Sequence, residues 1–429
     1  MSFDGVLDGN DGWRAYGWAI DRSRPNEPVE VEYTLSSGGT GTVVADVFRA
    51  DLKQAGIGDG QHAFAIPLPM RAGDAPQIAV RIKGTSFELR GSPTVQKHRE
   101  VLALVAGDIV NNCNLRCPFC VVDYAGIRGL KLMTEETFRK AAELMPLVPP
   151  GQFWLSCLHE PTMHPRLVDF IESVPLELRN RISFTSNLSR RLPEDWFGRL
   201  ARSGIHSLRV SFDSRQPEVF GALRAGARYE VFKQNVERLV AALRGTPERP
   251  RLHFITMAFQ DNVGEIVDLI RYCRHELGAD SHEVRFLYYM PHLAQWGKEH
   301  ILTIEQWDQL EAALQPLKAE TALQIAGPVP GTREQFEEQK GLAEYVAREN
   351  AFGWGDDARQ TPVPVPENVA NRLPDDTFQL RLRWDGLVVA EGCPEHEFRL
   401  NVAQLARPAE YFETLRLAAW QARQPAVRA

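Results

Sequence analysis

Cys113, Cys117 and Cys120 stand in one run, Asn111-Asn112-Cys113-Asn114-Leu115-Arg116-Cys117-Pro118-Phe119-Cys120, which puts three thiols on one short loop at C-x₃-C-x₂-C spacing. Thiolates are soft ligands, suited to zinc and to iron–sulfur clusters. A structural zinc site needs a fourth Cys or His to close its tetrahedron. The next candidates, Cys157 and His159, lie well downstream. Three thiolates suit a cubane 4Fe–4S cluster whose fourth iron is left open to bind something else. The competing readings are three unlinked buried cysteines, or a zinc knuckle.

A ligand loop of this kind needs rigid elements to hold it. Val101-Leu102-Ala103-Leu104-Val105 reads as a buried strand that runs into the loop, and Thr134 is the expected N-cap of an amphipathic helix beyond it. Thr137 occupies the position where a capping box prefers Glu or Gln. Further strands are expected at 152–157, 181–186, 207–212, 251–258 and 283–289, with helices near 165–174, 194–203, 229–244 and 263–277. Strand–helix alternation predicts a parallel sheet with helices outside it. Six such units make an α/β fold, a partial (β/α)₆ TIM-like barrel over residues 98–300. Chemistry in such barrels collects on the loops after the strands, and the cysteine loop is one of these.

The flanks differ in character. Residues 1–92 carry short alternating stretches, such as Val29–Leu35 and Gln77–Ile82, separated by Gly-rich turns, and read as an all-β sandwich. Within it, Trp13, Tyr16 and Trp18 form an aromatic group better suited to filling a small core than to stacking on sugars. Residues 301–378 read as a helical and proline-rich connector, with helices at Ile304–Leu317 and Glu334–Asn350 and a non-helical stretch at 361–366. Residues 379–429 read as a hairpin turning at Asp385-Gly386 and a last helix over Pro408–Arg423. The 429 residues carry a net charge of −7 with 24% charged residues, which gives no electrostatic footprint for nucleic acid or an anionic membrane. No apolar run reaches spanning length, and with neither a basic nor an apolar stretch near Met1-Ser2-Phe3-Asp4-Gly5 no export signal is expected. Six cysteines, half of them clustered, fit a reducing compartment, so the expected location is cytoplasmic.

The cysteine run resembles the cluster loop of the radical S-adenosylmethionine (radical SAM) superfamily, and further elements in order after it are similar to that family's. The resemblance implies that Cys113, Cys117 and Cys120 hold one 4Fe–4S cluster, whose open iron chelates the methionine part of S-adenosyl-L-methionine (SAM). It implies that Phe119 packs against the adenine. Cys157-Leu158-His159-Glu160-Pro161 looks like the family's Gly-Gly-Glu-Pro element, with Glu160 toward the SAM amino group. Ser186 and Asn187 match a strand-end pair that contacts SAM; Ser211 and Asp213 resemble the Ser-Leu-Asp element near the ribose. Arg224, with Arg228 as competitor, takes the place of an arginine that pairs with the SAM carboxylate. Against these stand ordinary helix capping by Ser, Asn and Asp, and surface exposure for the arginines. His159 is read as facing substrate in preference to joining His164 as a zinc ligand. Cys157 and Cys273 are read as buried small apolar residues.

Two partial likenesses extend the reading. Gly17-Trp18-Ala19 and Phe48-Arg49-Ala50-Asp51-Leu52 look like stretches of β-sandwich modules appended to polysaccharide-assembly enzymes. Arg383 to Pro394 looks like the start of an auxiliary-cluster domain, yet no cysteine follows Cys393, so the domain reads as degenerate and metal-free. The expected function is reductive cleavage of SAM to a 5′-deoxyadenosyl radical that takes hydrogen from a small-molecule substrate, a carbohydrate or nucleotide sugar. The alternatives are a maturase of a ribosomally made peptide substrate, or a non-catalytic binding protein with a relic barrel. An electron donor such as flavodoxin or ferredoxin is implied. Loss of the auxiliary cluster favours a redox-neutral outcome (epimerisation, elimination or rearrangement) over dehydrogenation.

Overall fold

The computed structural model describes residues 2–68, 76–97, 101–287, 290–326, 378–390 and 399–423. The chain divides into two compact units: Met1–Val101 together with Arg407–Ala429, and Leu102–Ala406. Cys393, the expected helix at 334–350 and the proline-rich stretch at 361–366 lie outside the described residues.

The first unit contains β1 (Phe3–Asn10), β2 (Arg14–Asp21), β3 (Val29–Leu35), β4 (Gly39–Ala45), β5 (Val47–Phe48), β6 (Gln61–Pro67), β7 (Gln77–Ile82) and β8 (Thr94–Val95). They form two antiparallel sheets, ordered β1-β2-β6-β5 and β4-β3-β7-β8. Alternation turns Val31, Leu35, Ile78 and Val80 of one sheet toward Ala15, Ala19, Phe64 and Ile66 of the other, in one apolar cluster. The aromatic group divides. Trp18 is buried on the opposite face of β2, with Ile20, Leu52 and Ile57, while Tyr16 is 38% exposed and does not fill a core.

In the second unit, β9 (Leu102–Gly107), β10 (Phe153–Trp154), β11 (Ile182–Ser186), β12 (Ser207–Ser211), β13 (Arg251–Met257), β14 (Ser281–Arg285) and β15 (Ala322–Ala326) pair in parallel, each with its neighbour in sequence. β15 falls inside the stretch read as a connector. It is a half-exposed edge strand directly after helix-forming sequence, so it lacks the apolar run that marks the other strands. Residues such as Phe184, Leu208, Val210, Phe254 and Val284 are buried on the helix side of the sheet. Among them Phe212 meets Phe220, Phe232 and Phe254 at ring distances of 6.4, 4.8 and 6.1 Å.

The helix Glu135–Ala142 starts as expected: Thr134 Oγ1 accepts from Thr137 N at 3.1 Å. Thr137 supplies a hydroxyl, 2.9 Å from Thr134 Oγ1, where a capping box would have a carboxylate. β16 (Phe378–Leu382), β17 (Leu387–Ala390) and β18 (Arg399–Asn401) continue the barrel sheet, with β16 parallel to β9 and the others antiparallel. The hairpin turn differs from a two-residue Asp-Gly turn. Arg383 N donates to Leu387 O at 2.8 Å, which leaves Trp384, Asp385 and Gly386 as a three-residue loop. Gly386 takes φ +86°, the left-handed position such loops require.

Candidate active site

Strand-end loops of the barrel close around one cavity, lined by Cys113, Cys117, Cys120 and Phe119 from the first loop. Glu160, Ser186, Asn187, Ser211 and Arg224 line it from the later loops. Residues from four strand ends, and Arg224 from the end of the helix Pro217–Leu223, therefore meet at the face where such barrels carry their chemistry. Asp213 is the exception among the expected cofactor contacts. It is fully buried outside the cavity lining, where Oδ1 accepts from Met257 N at 2.8 Å and Oδ2 accepts from Arg224 Nε. Its carboxylate anchors the arginine and does not line the space.

The cysteine loop is held by its own polar residues. Asn112 Oδ1 accepts from Cys113 N at 2.8 Å and from Arg116 at 3.2 Å, and Asn112 Nδ2 donates to Gly129 O. Arg116 also donates to Cys113 O and Leu115 O and lies 4.4 Å over the Tyr124 ring. Two N–H groups point at the Cys113 sulfur, Leu115 N at 3.4 Å and Asn187 Nδ2 at 3.5 Å. Bonds of this kind adjust the potential of a thiolate-held cluster.

Burial and the neighbouring Glu160 push the Cys113 thiol up to about 12, and burial with the neighbouring Cys117 pushes Cys120 up to about 11. Cys117 is raised by burial too, against the pull of Arg224. Three half-buried thiols facing one space are costly as anions unless a positive centre joins them, and iron would supply one. No group of three or more His, Cys, Asp or Glu among the described residues is arranged to hold one metal ion. A cubane cluster asks for a different arrangement, each thiolate on its own iron, and the donor set fits it.

Glu160 is 3% exposed, and burial raises its pKa against the donors around it. Oε1 accepts from Thr162 N (3.1 Å), Thr162 Oγ1 (2.6 Å) and Ser186 Oγ (2.7 Å), and Oε2 from Asn187 N (2.7 Å). The carboxylate thus fastens the loop after β10 to the end of β11, and Oε2 carries fewer bonds than Oε1. Arg224 is held by Nε to Asp213 and approaches Cys117; burial disfavours its charge, but Asp213 first and then Cys117 outweigh burial and raise its pKa. Its ring-facing side lies 5.1 Å over Phe119. Arg228 is exposed and away from the cavity. Phe119 packs with Phe259 and Trp296 at 4.9 and 5.8 Å and turns only part of its surface to the cavity.

The histidines separate. His159 lines the cavity, with Nδ1 3.1 Å from Tyr124 Oη, and burial lowers its pKa to about 4, so it is neutral near pH 7. His164 is no ligand: Nε2 donates to Met133 O at 2.9 Å and Nδ1 accepts from Arg166 N at 3.1 Å. Cys157, expected to be buried, is exposed on the cavity wall, whereas Cys273 is buried in the helix Ile266–His275.

Asp108 is a residue that the sequence reading missed. Its Oδ1 accepts from three successive amides, Cys157 N (3.0 Å), Leu158 N (3.1 Å) and His159 N (2.9 Å). It follows Gly107, where an added Cβ would lie 2.6 Å from Trp154 O, so glycine lets β9 approach β10 at that point. An acidic residue directly after a buried strand was the available signal. Its partners are about fifty positions away, beyond any local pattern.

Residues 108–273 match the family model described as the Radical SAM superfamily, a match that begins at Asp108 and spans every cavity residue named above from Cys113 to Arg224. A GTP 3′,8-cyclase from Picosynechococcus sp. is 28% identical over 228 residues, 51% of this chain and 64% of that protein. A probable GTP 3′,8-cyclase from Methanococcus maripaludis is 25% identical over 185 residues, 43% of this chain and 59% of that protein. The chain thus spans under two thirds of the length of these relatives. Among solved structures, Streptococcus suis SuiB bound to precursor peptide SuiA aligns with TM-score 0.46 and 12% identity, over 73% of this chain and 65% of that one. The cofactors of the superfamily are a 4Fe–4S cluster and SAM. Residues 108–273 of this chain thus match a radical SAM domain.

Proposed function

We propose that the protein is a radical SAM enzyme acting on a carbohydrate or nucleotide-sugar substrate. The observation that carries the reading is the convergence of Cys113, Cys117 and Cys120 with Glu160, Ser186, Asn187, Ser211 and Arg224 around one cavity. In this reading the three thiolates hold a single 4Fe–4S cluster, which together with SAM supplies reductive cleavage to methionine and a 5′-deoxyadenosyl radical that abstracts hydrogen from the substrate. The chain's own groups bind and orient. Glu160 Oε2 offers a carboxylate to the SAM ammonium, and the terminal nitrogens of Arg224 offer a planar fork to its carboxylate. Ser186 and Asn187 act through Glu160 and Cys113, to which they donate. The buried Asp213 keeps Arg224 in place.

Support for the substrate class comes from the N-terminal unit, whose sequence looks like modules on polysaccharide-assembly enzymes, and from relatives whose name specifies a nucleotide substrate. Anaerobically reconstituted protein is expected to hold about four irons per chain and to form 5′-deoxyadenosine from SAM with dithionite. About eight irons would sink the single-cluster assignment. A preparation that holds iron but never cleaves SAM would leave the binding-protein reading in its place.

The reaction outcome follows from the electron count. A substrate radical that finds no auxiliary acceptor is expected to regain hydrogen, eliminate or rearrange. Product mass after incubation with a panel of nucleotide sugars is the measurement. Loss of two hydrogens with one deoxyadenosine per turnover and no external oxidant would overturn the redox-neutral reading.

A further inference from the structure

Inward positions of the barrel strands below the cavity carry charge where an apolar fill is usual. Ser211, Ile255, Met257 and Arg285 line the cavity, so by alternation Arg209 on β12, His253 on β13 and Glu283 on β14 face the same interior. Arg285 Nε and its terminal nitrogen donate to Glu283 at 2.6 and 3.1 Å. His253 bridges Ser281 Oγ at 2.6 Å and Glu283 Oε2 at 3.2 Å. Arg209 stacks 4.3 Å over the Trp154 ring, and its polar contact among the described residues is one long approach to Glu283 at 3.5 Å.

Two guanidiniums therefore share one carboxylate. Burial lowers the pKa of His253, against its hydrogen bond to the Glu283 carboxylate, so the histidine adds no charge near pH 7. The ring keeps an excess of one positive charge, counting two arginines against Glu283. A second observation points the same way. Trp154 Nε1 is buried and has no acceptor among the described residues, next to a guanidinium whose donors are mostly unused among them. Unused donors and excess positive charge on the inward face, reaching the cavity through Arg285, ask for an acceptor-rich anion.

We infer that Arg209, Arg285 and Trp154 form a subsite for an oxyanion, phosphate or carboxylate, carried by the substrate, which it docks beneath the SAM cavity. The assignment rests on the radical SAM reading above and narrows its substrate class to acidic small molecules. A phosphate group would suit a nucleotide sugar, and a carboxylate would suit a sugar acid. Glu283 keeps both arginines in place and holds the net charge low enough for the ring to stay folded when empty.

The test uses the full reconstituted chain with SAM bound, titrated calorimetrically with inorganic phosphate and, separately, with succinate. The wild type is expected to bind one of the two, and the one preferred identifies the group. Arg285→Gln and Arg209→Gln are expected to weaken that binding about tenfold or more. Trp154→Phe, which keeps the ring packing and removes one donor, is expected to weaken it about threefold. Iron content checks that each variant is folded, and Trp154→Phe stands as the deciding variant if the arginine changes do not fold. No binding of either anion, or binding that the folded variants leave unchanged, would overturn the subsite. Iron and 5′-deoxyadenosine measured on the same preparation separate the two claims. Protein that cleaves SAM yet binds neither anion refutes the subsite alone, and protein without iron refutes the radical SAM reading.

Discussion

Cys117→Ala protein is expected to retain essentially no cubane cluster and to form no 5′-deoxyadenosine, while Cys273→Ala retains both. All three loop thiols line the cavity, and Cys117 is the one that Arg224 approaches. Removing one of three ligands leaves an iron without its thiolate, in a site where Asn and Arg side chains cannot replace it. The buried guanidinium would also lose one of its two anionic neighbours. Cys273 is buried in the helix Ile266–His275, away from the cavity lining, and its alanine variant loses only a small apolar side chain. Iron and sulfide analysis of both reconstituted variants, with deoxyadenosine by chromatography, checks the pair. Iron lost from folded Cys273→Ala would show the ligand assignment to be wrong.

This contrast is legible in the sequence because the cysteine loop is local: ten consecutive residues carry the three thiols, the adjoining aromatic and the asparagines that shape the turn. The strands of the barrel were readable for a related reason, since each is a short apolar run bounded by turn residues, as in Ile182–Ser186 and Ser207–Ser211. What each polar residue does was less readable. Glu160, Ser186 and Asn187 look alike as strand-end contacts, yet three of the four donors to Glu160 come from Thr162 and Ser186, so much of this set holds the site together. Asp213 matches a family element by position, but its partner Arg224 lies eleven residues on, and the pair turns the carboxylate inward. The charged interior of Arg209, His253, Glu283 and Arg285 was missed for a simpler reason. Arg209 and His253 sit on other strands than Glu283 and Arg285, and only the parallel register gathers the four.

Asp108→Ala is expected to weaken SAM binding by about tenfold or more and to destabilise the chain by about 3 kcal/mol, while Asp108→Asn does neither at pH 6. One carboxylate oxygen accepts the amides of Cys157, Leu158 and His159, residues that line the cavity and lead directly to Glu160. Alanine leaves these donors without an acceptor, at about 1–3 kcal/mol for each one that water does not reach. The loop would then shift, and Glu160 with it. Asparagine keeps an oxygen at the same position and loses only the 3.3 Å contact of the second oxygen with Leu158 N. Charge separates the two variants further. Burial raises Asp108 from 3.8 to about 7, with the three amides pulling it back down. An acid whose folded pKa lies above its unfolded value holds its proton in the folded state while the unfolded chain has released it. Its contribution to stability therefore falls as pH rises from 3.8 to about 7 and is level above that. Over that interval the wild type is expected to lose about 1.4 kcal/mol per pH unit relative to Asp108→Asn, which cannot ionise. Unfolding free energies of the two proteins at pH 5, 6 and 8, with SAM dissociation constants at each pH, test the argument. A difference between them that does not change with pH would mean that Asp108 is ionised throughout, and unaltered SAM binding in Asp108→Ala would remove it from the machinery that positions the loop.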